Sequence, residues 1–159
     1  ANETISKYFN EVLNGFSSAC FYGCYIQQPK ENDPVYPFIL NNPKLYSFFK
    51  DALGAMDGTY INSWATKEMC QLAWNRKGNV TQNTLVCCDF RIWFQYAVGG
   101  YNGSAADATM YAQSQLEGLQ IPNGKYYLAD VEFGICNALL VLYCGVQYHL
   151  NEWGRSQLL

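Results

Sequence analysis

Two acids of the 159-residue chain sit where an ionised carboxylate needs help. Asp57 follows the apolar run Ala52-Leu-Gly-Ala-Met56, and Asp130 ends Tyr126-Tyr-Leu-Ala129, 73 residues later. Poor hydration in such a run costs an ionised carboxylate several kcal/mol unless it is paired. A hydrogen-bonded polar partner is one answer, and a divalent cation is the other. In open α/β sheets, ligand chemistry collects beyond the carboxyl ends of strands. Two strand-borne acids brought side by side offer hard oxygen ligands for Mg²⁺ and a means of setting it against a phosphate. Acids at strand ends also serve as turn and capping residues, so spacing alone leaves both readings open.

Bringing those acids together requires a sheet, and the chain supplies its elements in order. Ile5, Tyr8, Phe9, Val12, Leu13 and Phe16 fall on one face of a predicted helix that Gly15 should end. Four of the five prolines, Pro29, Pro34, Pro37 and Pro43, lie in a connector over 27–43 that disfavours any long regular element. A short helical pattern around Leu45, Phe48 and Phe49 leads into a strand over 53–61. The polar stretch 66–83 reads as an exposed loop. Strands over 84–90 and 92–98, turning at 89–91, read as a hairpin. Ser104-Ala-Ala-Asp107 has the form of a capping box opening a helix to about Glu117. A strand over 125–130 follows, then a short apolar element over 138–143 and a last strand over 146–150. A hairpin followed by a strand–helix–strand crossover demands a mixed sheet, so the fold class is α/β.

Composition limits the partners. Ten Lys and Arg against thirteen Asp and Glu give a net charge of −3, and only 14% of residues are charged. A disordered chain is excluded, and charge alone argues against nucleic acid. No apolar run approaches the ~20 residues of a membrane span, and no signal peptide is recognisable, so an intracellular protein is expected. The seven cysteines are odd in number, and Cys87 and Cys88 are adjacent in a strand pattern; most read as small buried hydrophobes in a reducing compartment. Cys20 with Cys24, or Cys136 with Cys144, lack the companion spacing of a zinc site. His149, the one histidine, reads as a core or supporting residue.

Several blocks taken together are far more specific. Phe49-Lys-Asp-Ala-Leu-Gly-Ala-Met-Asp-Gly-Thr59, Asn75 to Asn83, Val86-Cys-Cys-Asp-Phe90, Gly103-Ser-Ala-Ala-Asp107, Lys125-Tyr-Tyr-Leu-Ala-Asp130 and Gly145 to Trp153 occur in order. In order and spacing they resemble the DDE endonuclease domain of PIF/Harbinger transposases and Harbinger-derived nucleases, over nearly the whole chain. The resemblance implies an RNase H-like fold, a five-stranded mixed sheet flanked by helices. It implies that Asp57 is the first catalytic acid and Asp130 the second, holding Mg²⁺ (or Mn²⁺) for phosphodiester cleavage or transfer in double-stranded DNA. Asp107 matches a further acid that opens the first core helix, although an acid there also complements the helix dipole with no catalytic role. Arg76 and Lys77 could meet phosphate through charge, as could any solvated loop. A nuclear setting and a separate Myb-like DNA-binding protein follow from the same likeness.

The departures are specific. Tyr60 stands where the pattern often has His, and Ala106 and Ala108 flank Asp107 where it carries His and Ser. The third acid belongs to a helix further downstream than the 29 residues after Asp130 reach; Glu152 belongs to a different block. Glu132 reads as a solvated loop residue. Residues 1–26 resemble the last helix of a helix-turn-helix, 27–43 form the connector, and 44–159 a partial nuclease core. The expectation is a nuclease shortened at both ends. The alternative is an inactive, domesticated remnant that binds DNA or protein.

Overall fold

Prolines start helices in the connector, because a residue at the first helical position has no use for an N–H. Pro37 opens α3 (Pro37–Leu40) and Pro43 opens α4 (Pro43–Phe49), where the Asn42 side chain accepts the Lys44 amide at 3.1 Å. The computed structural model describes residues 2–64 and 78–142 and places two further helices ahead of these, α1 (Asn2–Phe16) and α2 (Ala19–Tyr25). Gly15 does not end α1, and α2 was not foreseen. Ser18, three residues after Gly15, starts α2 by accepting the Phe21 amide at 3.3 Å.

Five strands follow: β1 (Ala52–Asn62), β2 (Thr81–Cys88), β3 (Phe94–Asn102), β4 (Tyr126–Ala129) and β5 (Leu139–Val141). Their order across the sheet is β3-β2-β1-β4-β5, with β1–β2 and β2–β3 antiparallel and β1–β4 and β4–β5 parallel. Helix α5 (Asp107–Leu116) carries the chain from β3 to β4. This mixed five-stranded sheet with flanking helices is the expected α/β, RNase H-like architecture. The fifth strand comes from the segment left without a type, and the strand expected over 146–150 lies outside the described residues.

Period-two burial along β2 turns Leu85 and Cys87 (both 0% exposed) toward α5, where they meet Met56, Met110 and Tyr127. The same alternation explains why β2 begins at Thr81 although 81–83 read as loop: Thr81 and Asn83 face inward and are 1% exposed. The hairpin turn spans 89–93, longer than expected, because the Asp89 carboxylate accepts the amides of Arg91 (2.7 Å) and Trp93 (3.0 Å). The helix expected to open at Ser104 begins at Asp107 instead. Ala105 N–H closes a turn on Asn102 O (2.9 Å), so the helix starts later, with Ala106 as an N-cap that makes no side-chain bond. Burial of the cysteines is also narrower than expected. Cys87 is buried and Cys88 half-buried, while Cys20, Cys24 and Cys136 are exposed, because α2 and the segment before β5 lie outside the core.

Candidate active site

The parallel ladder between β1 and β4 pairs Ala55 with Leu128 and Met56 with Ala129. One step further along it stand Asp57 and Asp130, on strands whose spacing is ~4.8 Å. Met56 is 2% exposed and Tyr127 0%, with Ala129 packed against the same core. Alternation therefore turns Asp57 and Asp130 together to the other face, where both are exposed. The two acids that the sequence separates by 73 residues are neighbours at the carboxyl end of β4.

Each carboxylate is oriented by the residue after it. Gly58 N–H donates to Asp57 Oδ1 at 2.8 Å. Val131 N–H donates to Asp130 Oδ1 at 2.6 Å, which makes Asp130 the cap of a 3₁₀ turn over Val131–Phe133. One such bond uses one of about four lone-pair sites on a carboxylate, so both groups keep capacity for a cation. Their donor type, exposure and adjacency suit a hard divalent ion. Among the described residues no group of three or more His, Cys, Asp or Glu forms a metal-holding cluster, so the pair stands without a third protein ligand there.

Asp107 approaches from behind. A Cβ on Gly58 would lie 2.7 Å from Asp107 Oδ1 and 3.0 Å from Met110 Cε, so the first turn of α5 packs directly on β1 one residue past Asp57. Gly58 and Met56 share the α5 face, which puts Asp107 on the opposite side of the strand from the Asp57 side chain. Asn83 completes this buried corner. Its Oδ1 accepts the Thr84 amide at 3.0 Å, and its Nδ2 donates to Ala105 O at 3.4 Å. Its role was not foreseen, since nothing in a single Asn within a polar stretch marks an inward-facing position. Glu132 is exposed in the 3₁₀ turn. Arg76, Lys77, His149 and Glu152 lie outside the described residues.

A third strand-end acid behaves differently. Asp89 is 5% exposed, receives the Tyr36 hydroxyl and pairs with Arg91 at 3.4 Å. The Arg91 guanidinium in turn lies 5.3 Å from the Tyr36 ring centroid and 5.5 Å from that of Trp93. Burial pushes the Asp89 carboxyl up, but the Tyr36 hydroxyl, the two amides and the Arg91 charge outweigh it and hold it below the ordinary value of 3.8. These bonds also hold Ile92 at φ 64°, a costly conformation for a β-branched residue. Beside this network, at the amino ends of β1 and β4, lies a cleft of about 460 Å³ walled by Pro29, Pro34, Tyr36 and Leu53. Two of its cations are already engaged, Lys125 by Asp51 at 3.1 Å and Arg91 by Asp89.

The mixed five-stranded sheet, with two exposed carboxylates on neighbouring strands where the β1–β4 ladder ends, has the RNase H-like α/β architecture. Residues 56–158, well over half the chain, match the DDE superfamily endonuclease family, and the chain belongs to that family. The match opens one residue before Asp57 and runs through Asp130. Membership supports a nuclease- or transposase-type function on DNA, in a superfamily that uses divalent metals. No curated protein and no solved structure matches the chain. No helix among the described residues is long and apolar enough to cross a membrane.

Proposed function

We propose that Asp57 and Asp130 hold a divalent cation, Mg²⁺ or Mn²⁺, for cleavage or transfer of phosphodiester bonds in double-stranded DNA, in the manner of PIF/Harbinger-type transposases. The observation that carries this reading is the β1–β4 register, which sets two like-charged, exposed carboxylates side by side. When bound, the cation supplies Lewis-acid polarisation of a phosphoryl oxygen and a lowered pKa for water. The chain's own part is positioning. The Gly58 and Val131 amides fix the two carboxylates, and α5 braces β1 from behind through Asp107. Arg76 and Lys77 add charge toward the DNA backbone. The nuclear setting and a separate Myb-like DNA-binding protein belong to the same Harbinger reading.

A second reading is a catalytically inactive remnant that binds DNA or protein. It is favoured by Ala106 and Ala108, which flank Asp107 where the Harbinger pattern has His and Ser. One pair of measurements separates the two readings. Mn²⁺ should raise the melting temperature of the wild-type chain, by linkage of binding to folding, and should leave Asp57→Asn and Asp130→Asn unmoved. A supercoiled-DNA nicking assay then reports chemistry. Nicking that survives either Asn variant overturns the site, and metal binding without nicking selects the remnant.

A further inference from the structure

We propose that Asn83 is a positioning residue for the divalent-cation site, setting Asp57 through the first turn of α5 and Gly58; this rests on the proposed role of Asp57 and Asp130. Asn83 is 1% exposed and faces the core, on the opposite side of the sheet from the Asp57 side chain, so it can act only through other residues. It sits at a break in the β2–β3 ladder. From Asn83 to Leu85 is two steps along β2, but their partners Tyr101 and Val98 are three steps apart, and Thr84 between them is skipped. Asn83 Oδ1 accepts the Thr84 amide at 3.0 Å beside that break. Its Nδ2 donates to Ala105 O at 3.4 Å, the carbonyl just before the Ala106 N-cap of α5. One buried amide therefore ties β2 to the turn that starts the helix.

That tie reaches Asp57 in short steps. A Cβ on Gly58 would lie 3.5 Å from Asn83 Oδ1 and 2.7 Å from Asp107 Oδ1, so Asn83 and the first turn of α5 close on the same point of β1. Gly58 N–H in turn donates to Asp57 Oδ1 at 2.8 Å, the bond that orients this carboxylate. Without the Asn83 amide the turn loses its tie to β2, and the helix start can shift against Gly58. Residue type matters, because one side chain must offer an acceptor to Thr84 and a donor to Ala105 at the same reach. Leucine has a similar volume and offers neither, and serine carries a single hydroxyl on a shorter stem. Residues that orient a metal's ligands without touching the metal are typically worth about ten- to a hundredfold in affinity or activity.

The test is Mn²⁺ binding to the full chain, read from the electron paramagnetic resonance of free Mn²⁺ with no DNA and no turnover. Wild type, Asn83→Leu, Asn83→Ser, Asp57→Asn and Leu119→Ala are compared at a temperature where circular dichroism shows each one folded. Both Asn83 variants should raise the Mn²⁺ Kd by about tenfold or more. Leu119 is buried beyond the far end of α5, so its truncation lowers the melting temperature as a core vacancy does, while the Kd should stay within about twofold of wild type. Asn83→Ser is the milder change and keeps the comparison open should the leucine variant fail to fold. A second readout needs no metal: the Gly58 amide resonance should move in both Asn83 variants and hold its place in Leu119→Ala. Wild-type affinity in the Asn83 variants, with binding abolished in Asp57→Asn, overturns this inference and leaves the site standing. An equal loss in Leu119→Ala reduces Asn83 to general stability and overturns it too, as does an unmoved Gly58 amide. A wild-type chain that binds no Mn²⁺ overturns the site itself, and the role of Asn83 with it.

Discussion

The two ends of the β1–β4 ladder treat their acids in opposite ways. At the amino end, Asp51 at the start of β1 is matched by Lys125 at the start of β4, 3.1 Å away, and neighbouring Asp89 is buried among Tyr36, Arg91 and two amides. Charge is settled there inside the protein. At the carboxyl end, Asp57 and Asp130 stand side by side and exposed, and neither is paired with a cation among the described residues. Exposed carboxylates on neighbouring strands offer hard oxygen ligands to a cation. One end of the ladder settles its charge within the fold, and the other leaves its carboxylates to solvent.

The largest effect expected from breaking this contrast lies at the carboxyl end. Asp57→Asn or Asp130→Asn should lower divalent-dependent DNA cleavage by about a thousandfold or more, the scale expected when a metal's carboxylate ligand is removed. Stability in the absence of metal should stay within about 0.5 kcal/mol of wild type, as for exposed side chains away from the core. Paired nicking and urea-unfolding measurements check both halves. A large loss of stability in either variant would mean that these acids serve the fold as Asp89 does.

Asp89→Ala should invert that pattern, costing about 2–4 kcal/mol in urea unfolding because it strands the Tyr36 hydroxyl and two turn amides. The same contrast is open to pH. The folded carboxyl of Asp89 is held below its unfolded value, so its contribution is present above about pH 4 and is lost as pH falls through the lower, folded value. Wild type should therefore lose stability in that acid window, and Asp89→Asn should show a shallower slope there.

How much of this was legible in the sequence follows from the same residues. Asp57, Asp89 and Asp130 all read as acids at strand ends, and residue type cannot separate a carboxylate that closes a turn from one that awaits a ligand. The difference is made by a long-range partner, Tyr36, arriving from the proline-rich connector 53 residues away. The pairing of Asp57 with Asp130 was legible only through the resemblance carried by the ordered blocks, since strand patterns alone left both acids open to turn and capping roles. The α1 stripe was legible as amphipathic but not as exposed, since periodicity reports a face and not what covers it. The Asn83–Gly58–Asp107 corner was invisible, because it depends on how closely α5 rides on β1.

That closeness gives a mid-sized prediction. Gly58→Ala would place a methyl group 2.7 Å from Asp107 Oδ1 and 3.0 Å from Met110 Cε, so either α5 or β1 must shift. Overpacking of this kind costs about 1–3 kcal/mol. Because the shift begins one residue from Asp57, cleavage should fall by more than the stability loss explains. Asp107→Ala in the same background should recover part of both. Stability recovered without activity would confine Asp107 to packing.

The smallest effect is expected at the settled end of the ladder. Lys125→Met removes the cation from Asp51, whose side chain is 41% exposed against 19% for Lys125, so water takes up much of the lost interaction. Ion pairs in that setting are worth about 0–1 kcal/mol, and raising the salt concentration should shrink the difference further. The Asp51 carbonyl still accepts the Tyr126 amide at 3.2 Å, so the strands keep their register and cleavage at the far end should not change. Urea unfolding at low and high salt, alongside the nicking assay, measures this. A loss of cleavage in Lys125→Met with stability intact would show that the two ends are coupled through the ladder, and that charge at the amino end helps to set the carboxylates at the other.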